Sequence, residues 1–181
     1  MISLRSKIVQ KLLGYFFLHE ASSLYVNEMS RSLGLDRGNL IKMLRSLEAE
    51  GILKSEYRGN QKYFSLNKKF SLLREYRNII LKTVGFEKNI RELLRGVNGV
   101  KSAYIFGSYA KDKMDSLSDI DLLAVGQQDT IELQKKISKL QKQIDREINV
   151  VSMGEEEFRR KIKKGDSFIA GILGSANIKL L

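Results

Sequence analysis

Residues Tyr104 to Val125 read YIFGSYAKDKMDSLSDIDLLAV. An apolar run ends at Gly107-Ser108. Ten mostly polar and basic residues follow, and Asp119-Ile120-Asp121 then runs directly into Leu122-Leu123-Ala124-Val125. The pattern predicts a strand, a glycine–serine turn, a short helix and a second strand that carries two acids. Residues i and i+2 of a strand share a face. Asp119 and Asp121 therefore project together, while Ile120 and Leu122 turn into a core. Two neighbouring carboxylates repel unless positive charge lies between them. A magnesium ion answers that need, with a triphosphate supplying further oxygens. Gly107 lets the backbone come close to a phosphate. Ser108 adds a hydroxyl and opens a helix whose free N–H groups favour an anion.

Gly107-Ser108, ten residues, then Asp119-x-Asp121 between apolar runs resembles the signature of the DNA polymerase beta-like nucleotidyltransferase superfamily. Within that superfamily the chain looks like the minimal nucleotidyltransferases. The resemblance implies a small mixed sheet flanked by helices. It also implies a third carboxylate on a later strand, which helps to hold metal and acts as general base toward an acceptor hydroxyl. Here the matching position is Asn149. An amide carries no charge and takes no proton at neutral pH. Glu147, two residues earlier, shares the expected strand face, and Asp145 falls on the preceding helix. Three outcomes stay open: an enzyme with two acids, an enzyme using Glu147, or a nucleotide-binding domain without chemistry.

Composition narrows the classes. The chain has 181 residues, enough for one medium or two small domains. It is 43% hydrophobic and 29% charged, a folded rather than disordered profile. No apolar run has the length to span a bilayer. The N-terminal stretch is interrupted by Arg5, Lys7, Gln10 and Lys11 and reads as an amphipathic helix, not a signal peptide. A cytoplasmic location with no membrane partner is expected. The absence of cysteine excludes disulfides, thiolate zinc sites and a cysteine nucleophile. His19 is the only histidine, so no histidine cluster holds a metal; it reads as a helix-end residue. The chain also lacks proline, in keeping with many helices and glycine turns.

The net charge of +11 suits polyanionic partners. It is not evenly spread. Residues 1–67 carry +4 and residues 68–99 carry +5, but residues 100–181, which hold the acids, carry only +2. Solvated surface lysines would give the same total.

Helical spacing of Leu4, Ile8, Leu12 and Tyr15-Phe16 predicts a first helix over residues 3–18. Asn27 is placed to cap a second, ending at Gly34, and Asp36 a third, ending near Gly51. Ile52–Tyr57 and Lys62–Leu66 then read as a hairpin around a Gly-Asn turn. The stretch LEAEGILKSEYRGNQKYFSL resembles the recognition-helix end and wing of winged-helix regulators. That resemblance implies a helix in the major groove of double-stranded DNA. Arg37 and Asn39 would reach base edges. Lys42 and Arg45 would contact phosphates, with Arg58 and Lys62 at the wing. A winged helix that mediates only protein contacts is the other reading, because fold does not fix function.

Residues 70–95 hold two helical patterns broken at Gly85. The apolar stripe of the first serves equally as a homodimer seam or as an intramolecular core face. After the acids, Asp129 is placed to cap a helix, Ile148–Met153 reads as a strand, and Asp166 caps a last helix. The basic run Arg159–Lys164 reads first as a solvated helix face.

The expected fold is α+β, with a winged helix-turn-helix domain (1–67), a helical linker (68–85) and a nucleotidyltransferase-like domain (86–181). The expected function is a DNA-binding nucleotidyltransferase. Asp119 and Asp121 are its catalytic and metal residues, and Gly107 and Ser108 bind nucleotide. Its cofactor is Mg2+, its substrate a nucleoside triphosphate and its acceptor unassigned. The alternative is a transcription regulator or antitoxin-like protein whose second domain binds nucleotide or a protein partner without catalysis.

Overall fold

The computed structural model describes residues 5–115 and 118–181. Leu4, expected in the first helix, and Ser116-Leu117, between the turn and the acids, lie outside the described residues. The chain divides into two compact units, Met1–Lys88 and Asn89–Leu181.

In the first unit, α1 (Lys7–Leu18) starts at Ser6, whose hydroxyl accepts the Val9 N–H. Twelve residues make a helix that is marginal in isolation. It is held by what it buries: Val9, Leu12, Leu13, Phe16, Phe17 and Leu18. A fully buried side chain of this kind contributes roughly 1.5–3 kcal/mol. His19 is its C-cap and stacks on Tyr15. A two-residue strand, β1 (Leu24–Tyr25), leads into α2 (Val26–Leu33), which ends at left-handed Gly34. The N-cap of α2 is Tyr25, so Asn27 lies inside the helix rather than capping it. Asp36 caps α3 (Arg37–Ala49) by accepting the Asn39 N–H at 2.9 Å. Leu40, Leu44 and Leu47 turn inward at helical spacing.

The hairpin follows as β2 (Leu53–Arg58) and β3 (Gln61–Leu66), closed by Gly59-Asn60. Gly59 has φ +58°, which a tight two-residue hairpin turn requires of its first member. β1 pairs with β3, giving the antiparallel order β1-β3-β2. The sequence pattern does not reveal β1. Glu48 ties helix to hairpin: it accepts from Ser55 and, at 2.8 Å, from Lys62. The Lys62 hydrogen bond, and then that of Ser55, hold the Glu48 carboxyl below its ordinary pKa. α4 (Leu73–Thr83), in the stretch read as a linker, packs on α1 within this unit. Arg77 of α4 pairs with Glu20 at 2.9 Å.

α5 (Phe86–Arg95) carries the chain into the second unit. There β4 (Val100–Phe106), α6 (Gly107–Ala110), β5 (Ile120–Gly126), α7 (Thr130–Ile144), β6 (Ile148–Met153), α8 (Glu155–Lys164), α9 (Ser167–Gly174) and β7 (Ile178–Lys179) follow in order. The sheet order is β6-β5-β4-β7. β4 is antiparallel to β5 and β7, and β5 is parallel to β6. A parallel pair needs a crossover, and α7 supplies it. This is the expected small mixed sheet flanked by helices. Leu123, Val125 and Met153 pack with Ile169 and Ile172 of α9 on one face, beside Tyr104, Phe106, Val151 and Phe158. Ile120, Leu122 and Ala124, on the other face by the pleat, are fully buried. Among the described residues no helix is long and apolar enough to cross a membrane.

Candidate functional site

The alternation of β5 builds the site. Leu123 and Val125 occupy the face covered by α9, so Asp121 and Asp119 continue that face past the edge of the core. Both acids are half-buried. Across the antiparallel pair, Phe106 stands opposite Asp121. Phe106 also meets Phe168 of α9 edge-to-face, with ring centres 5.8 Å apart. Across the parallel pair, Asn149 stands opposite Asp121.

Gly107 follows Phe106 and turns the chain away from the sheet with φ +72°. A Cβ built there would overlap Asp121 Oδ2 and lie 3.2 Å from its Cγ. The turn and the second acid therefore interlock: a side chain here would hold a left-handed backbone and displace the Asp121 carboxylate, and glycine leaves the acid in place. Ser108 and Gly107 begin α6, four residues long, whose Tyr109 is buried. The Lys113 N–H donates to the Ser108 carbonyl at 3.0 Å and closes the turn. Gly107→Ala is expected to cost about 1–2 kcal/mol for a left-handed alanine. It also drives the Asp121 carboxylate out of place. Magnesium-dependent nucleotide affinity should thus fall more than a melting curve implies, which titrations on both proteins will compare.

The electrostatics follow from burial. Desolvation pushes the Asp121 carboxyl above the ordinary aspartate range; hydrogen bonding to Asn149 opposes the rise and the charge on Asp119 adds to it. Asn149 Nδ2 also donates to Asp119 Oδ2 at 3.2 Å. One amide thus serves both carboxylates, where a third carboxylate would repel them. The Glu147 side chain is exposed, its carbonyl accepts the Ile120 N–H at 3.0 Å, and no cluster of three metal-ligating side chains occurs among the described residues. Two half-buried carboxylates with no thiolate or imidazole beside them fit magnesium, which takes one or two carboxylates and leaves the rest to phosphates.

Sequence reading passes over Arg146. Its side chain is buried and donates to main-chain carbonyls beside Asp119. An arginine flanked by acids at the end of a polar helix looks solvated, and no spacing rule marks it otherwise.

In the first unit, Arg37, Asn39, Lys42 and Arg45 are all exposed along α3. Arg37 lines an open cleft of about 450 Å³ with Tyr25, Asn27, Ser30, Arg31 and Gln61. Arg58 and Lys62 are engaged within the hairpin. Arg58 pairs with Glu56, donates to Ser23 at 3.2 Å and lies 4.6 Å from the Tyr63 ring centre. Lys62 holds Glu48 and lies over the Phe64 ring.

Residues 88–171 match the family described as Polymerase beta, Nucleotidyltransferase. The matched stretch is similar to nucleotidyltransferase domains of that kind, and it contains Gly107, Ser108, Asp119, Asp121 and Asn149. No curated protein matches the sequence. Among solved structures, a toxin–antitoxin with AMP-PNP is similar at TM-score 0.39 and 21% identity, over 52% of this chain and 72% of that one. A tri-AMPylated Shewanella oneidensis HEPN toxin in complex with MNT antitoxin gives TM-score 0.35 and 20% identity, over 52% and 68%. A Sulfolobus solfataricus protein assigned as a nucleotidyltransferase gives 0.30 and 23%, over 41% and 68%.

Proposed function

We propose that residues 89–181 bind a magnesium–nucleoside triphosphate and transfer its nucleoside monophosphate to an acceptor hydroxyl. The observation that carries this is the interlock of Gly107 with Asp121: the glycine turn that ends β4 packs directly against an acid at the start of the neighbouring central strand β5. Asp119 and Asp121 hold the metal, and Gly107 and Ser108 hold the outgoing phosphates. When bound, magnesium lowers the charge on the triphosphate and orients its α-phosphate. The acceptor hydroxyl releases its proton to solvent as its oxygen bonds the α-phosphorus, the α–β bridge breaks, and pyrophosphate leaves.

A second reading has its own observation. Asn149 donates to Asp119 where a general base is expected. On that reading the domain binds nucleotide or a protein partner without turnover, as a regulator or antitoxin-like protein would. Incubating the protein with labelled nucleoside triphosphates and magnesium separates the two. Absence of magnesium-dependent binding removes both nucleotide readings. Binding without label on protein, RNA or small-molecule hydroxyls leaves only the second.

For the first unit we propose a winged helix that binds duplex DNA through α3. Supporting this are the helix pair, the three-stranded sheet and the charge. Residues 1–88 carry sixteen Lys/Arg against eight Asp/Glu, or +8 of the chain's +11. Arg37 and Asn39 read base edges; Lys42 and Arg45 bind phosphates, with Arg58 and Lys62 bracing the wing. Duplex affinity should fall with salt, and Arg37→Ala/Arg45→Ala should weaken it. The slope of log affinity against log salt should flatten by about one for each phosphate that the variant no longer neutralises. An unchanged slope and affinity in a filter or anisotropy titration would remove α3 from the interface.

A further inference from the structure

We propose that Arg146 is a positioning residue for the nucleotide site: it fixes the loop that carries Asp119 and so sets where that carboxylate stands. The inference rests on the reading of Asp119 and Asp121 as metal ligands.

Arg146 lies between α7 and β6 and is only 8% exposed. Its Nη1 donates to the Ser118 carbonyl at 2.8 Å and to the Asp115 carbonyl at 3.0 Å. Asp115 and Ser118 are also bonded to each other. The Asp115 N–H donates to Ser118 Oγ at 3.0 Å, and that hydroxyl donates to Asp115 Oδ1 at 2.8 Å. Asp119 is thereby held from both sides. The residue before it is tied to Arg146, and the residue after it donates to the Glu147 carbonyl at 3.0 Å. Its own carboxylate accepts from Asn149. All three restraints come from residues 146–149, so one short stretch positions the first acid in main chain and side chain. A buried guanidinium is suited to this, because the two N–H bonds of its Nη1 lie in one plane at fixed angles and serve one acceptor each.

The sign of the effect separates positioning from charge. A cation bonded to the carbonyl of the residue before Asp119 repels a metal ion held there, so removing only its charge would strengthen metal binding. Removing a positioning group weakens it, typically by 10–100-fold for groups that orient metal ligands.

The test is magnesium-dependent nucleotide titration of the wild type, Arg146→Gln and Arg146→Lys. It is paired with luminescence lifetimes of bound Tb3+ in H2O and D2O, which count the waters on the ion. The expected result is affinity weaker by about 10–100-fold in Arg146→Gln, with extra water on the ion. Arg146→Lys should be intermediate, because an ammonium retains the charge but not the fixed, planar donor directions. Leu133→Ala, a buried α7 change outside the site, is the control for general destabilisation. Wild-type affinity and water count in folded Arg146→Gln would overturn the proposal. An equal loss in Leu133→Ala would do the same. If Arg146→Gln does not fold, Arg146→Lys decides by the same two readouts. Failure of the underlying site reading looks different: the wild type itself then shows no magnesium-dependent binding.

Discussion

Asp119→Ala/Asp121→Ala is expected to abolish magnesium-dependent nucleotide binding while raising the melting temperature of the metal-free protein. The two effects have one cause. Both carboxylates are half-buried, and Asp121 is pushed above the ordinary aspartate range by burial, with the charge on Asp119 adding. An acid whose folded pKa lies above its unfolded value destabilises the folded state once it ionises. The loss begins as pH rises through the unfolded value and is complete above the folded one. Once both acids are ionised the metal-free protein carries this penalty, and the double variant carries none. Its stability should be flatter across that acid window than the wild type's. Magnesium reverses the balance in the wild type alone, since two carboxylates that repel each other attract a cation between them. The loss of affinity should be at least about 100-fold, since the variant retains no carboxylate for the ion at this site. Calorimetric titration with and without magnesium, and melting at several pH values, check both halves. A variant that binds as well as the wild type removes Asp119 and Asp121 from the ligand set. One that loses binding and melts lower has only unfolded.

The parts of this site that can be read from the sequence are those fixed by local geometry. Gly107-Ser108 ends an apolar run, and Asp119 and Asp121 alternate with Ile120 and Leu122, so the turn, the strand and the shared face follow from period and glycine chemistry. Asn149 is singled out in the sequence only through the family resemblance; its register opposite Asp121 needs the folded sheet. What is not legible depends on partners distant in sequence. Arg146 meets the carbonyls of Ser118 and Asp115, 28 and 31 residues earlier. Backbone acceptors leave no mark in a sequence. β1 is two residues long, too short for any alternation to register. Its pairing with β3 makes Tyr25 the start of α2 and leaves Asn27 inside the helix. Lys62 reads as a wing charge because its partner, Glu48, lies on another element and only the folded hairpin brings them to 2.8 Å.

The register of β6 sets the second large effect. Asn149→Asp places a third carboxylate opposite Asp121 and beside Asp119. Without metal this is unfavourable: the amide hydrogen bond to Asp119 is lost, and an exposed third negative charge is set beside two half-buried ones. The metal-free variant should therefore melt below the wild type. Saturating magnesium should close that gap, because the added charge strengthens the cation site. For the reaction, the new carboxylate supplies the proton acceptor that an amide cannot be. General-base assistance contributes roughly 10²–10⁴-fold, so single-turnover transfer of label from the triphosphate should rise by about 100-fold. A rise of that size with magnesium, and none without, identifies Asn149 as the residue that limits turnover in the natural sequence. The converse result is equally informative. Tighter magnesium binding with no gain in transfer would show that the missing base is not what holds the reaction back. It would favour a domain whose role ends with the bound nucleotide.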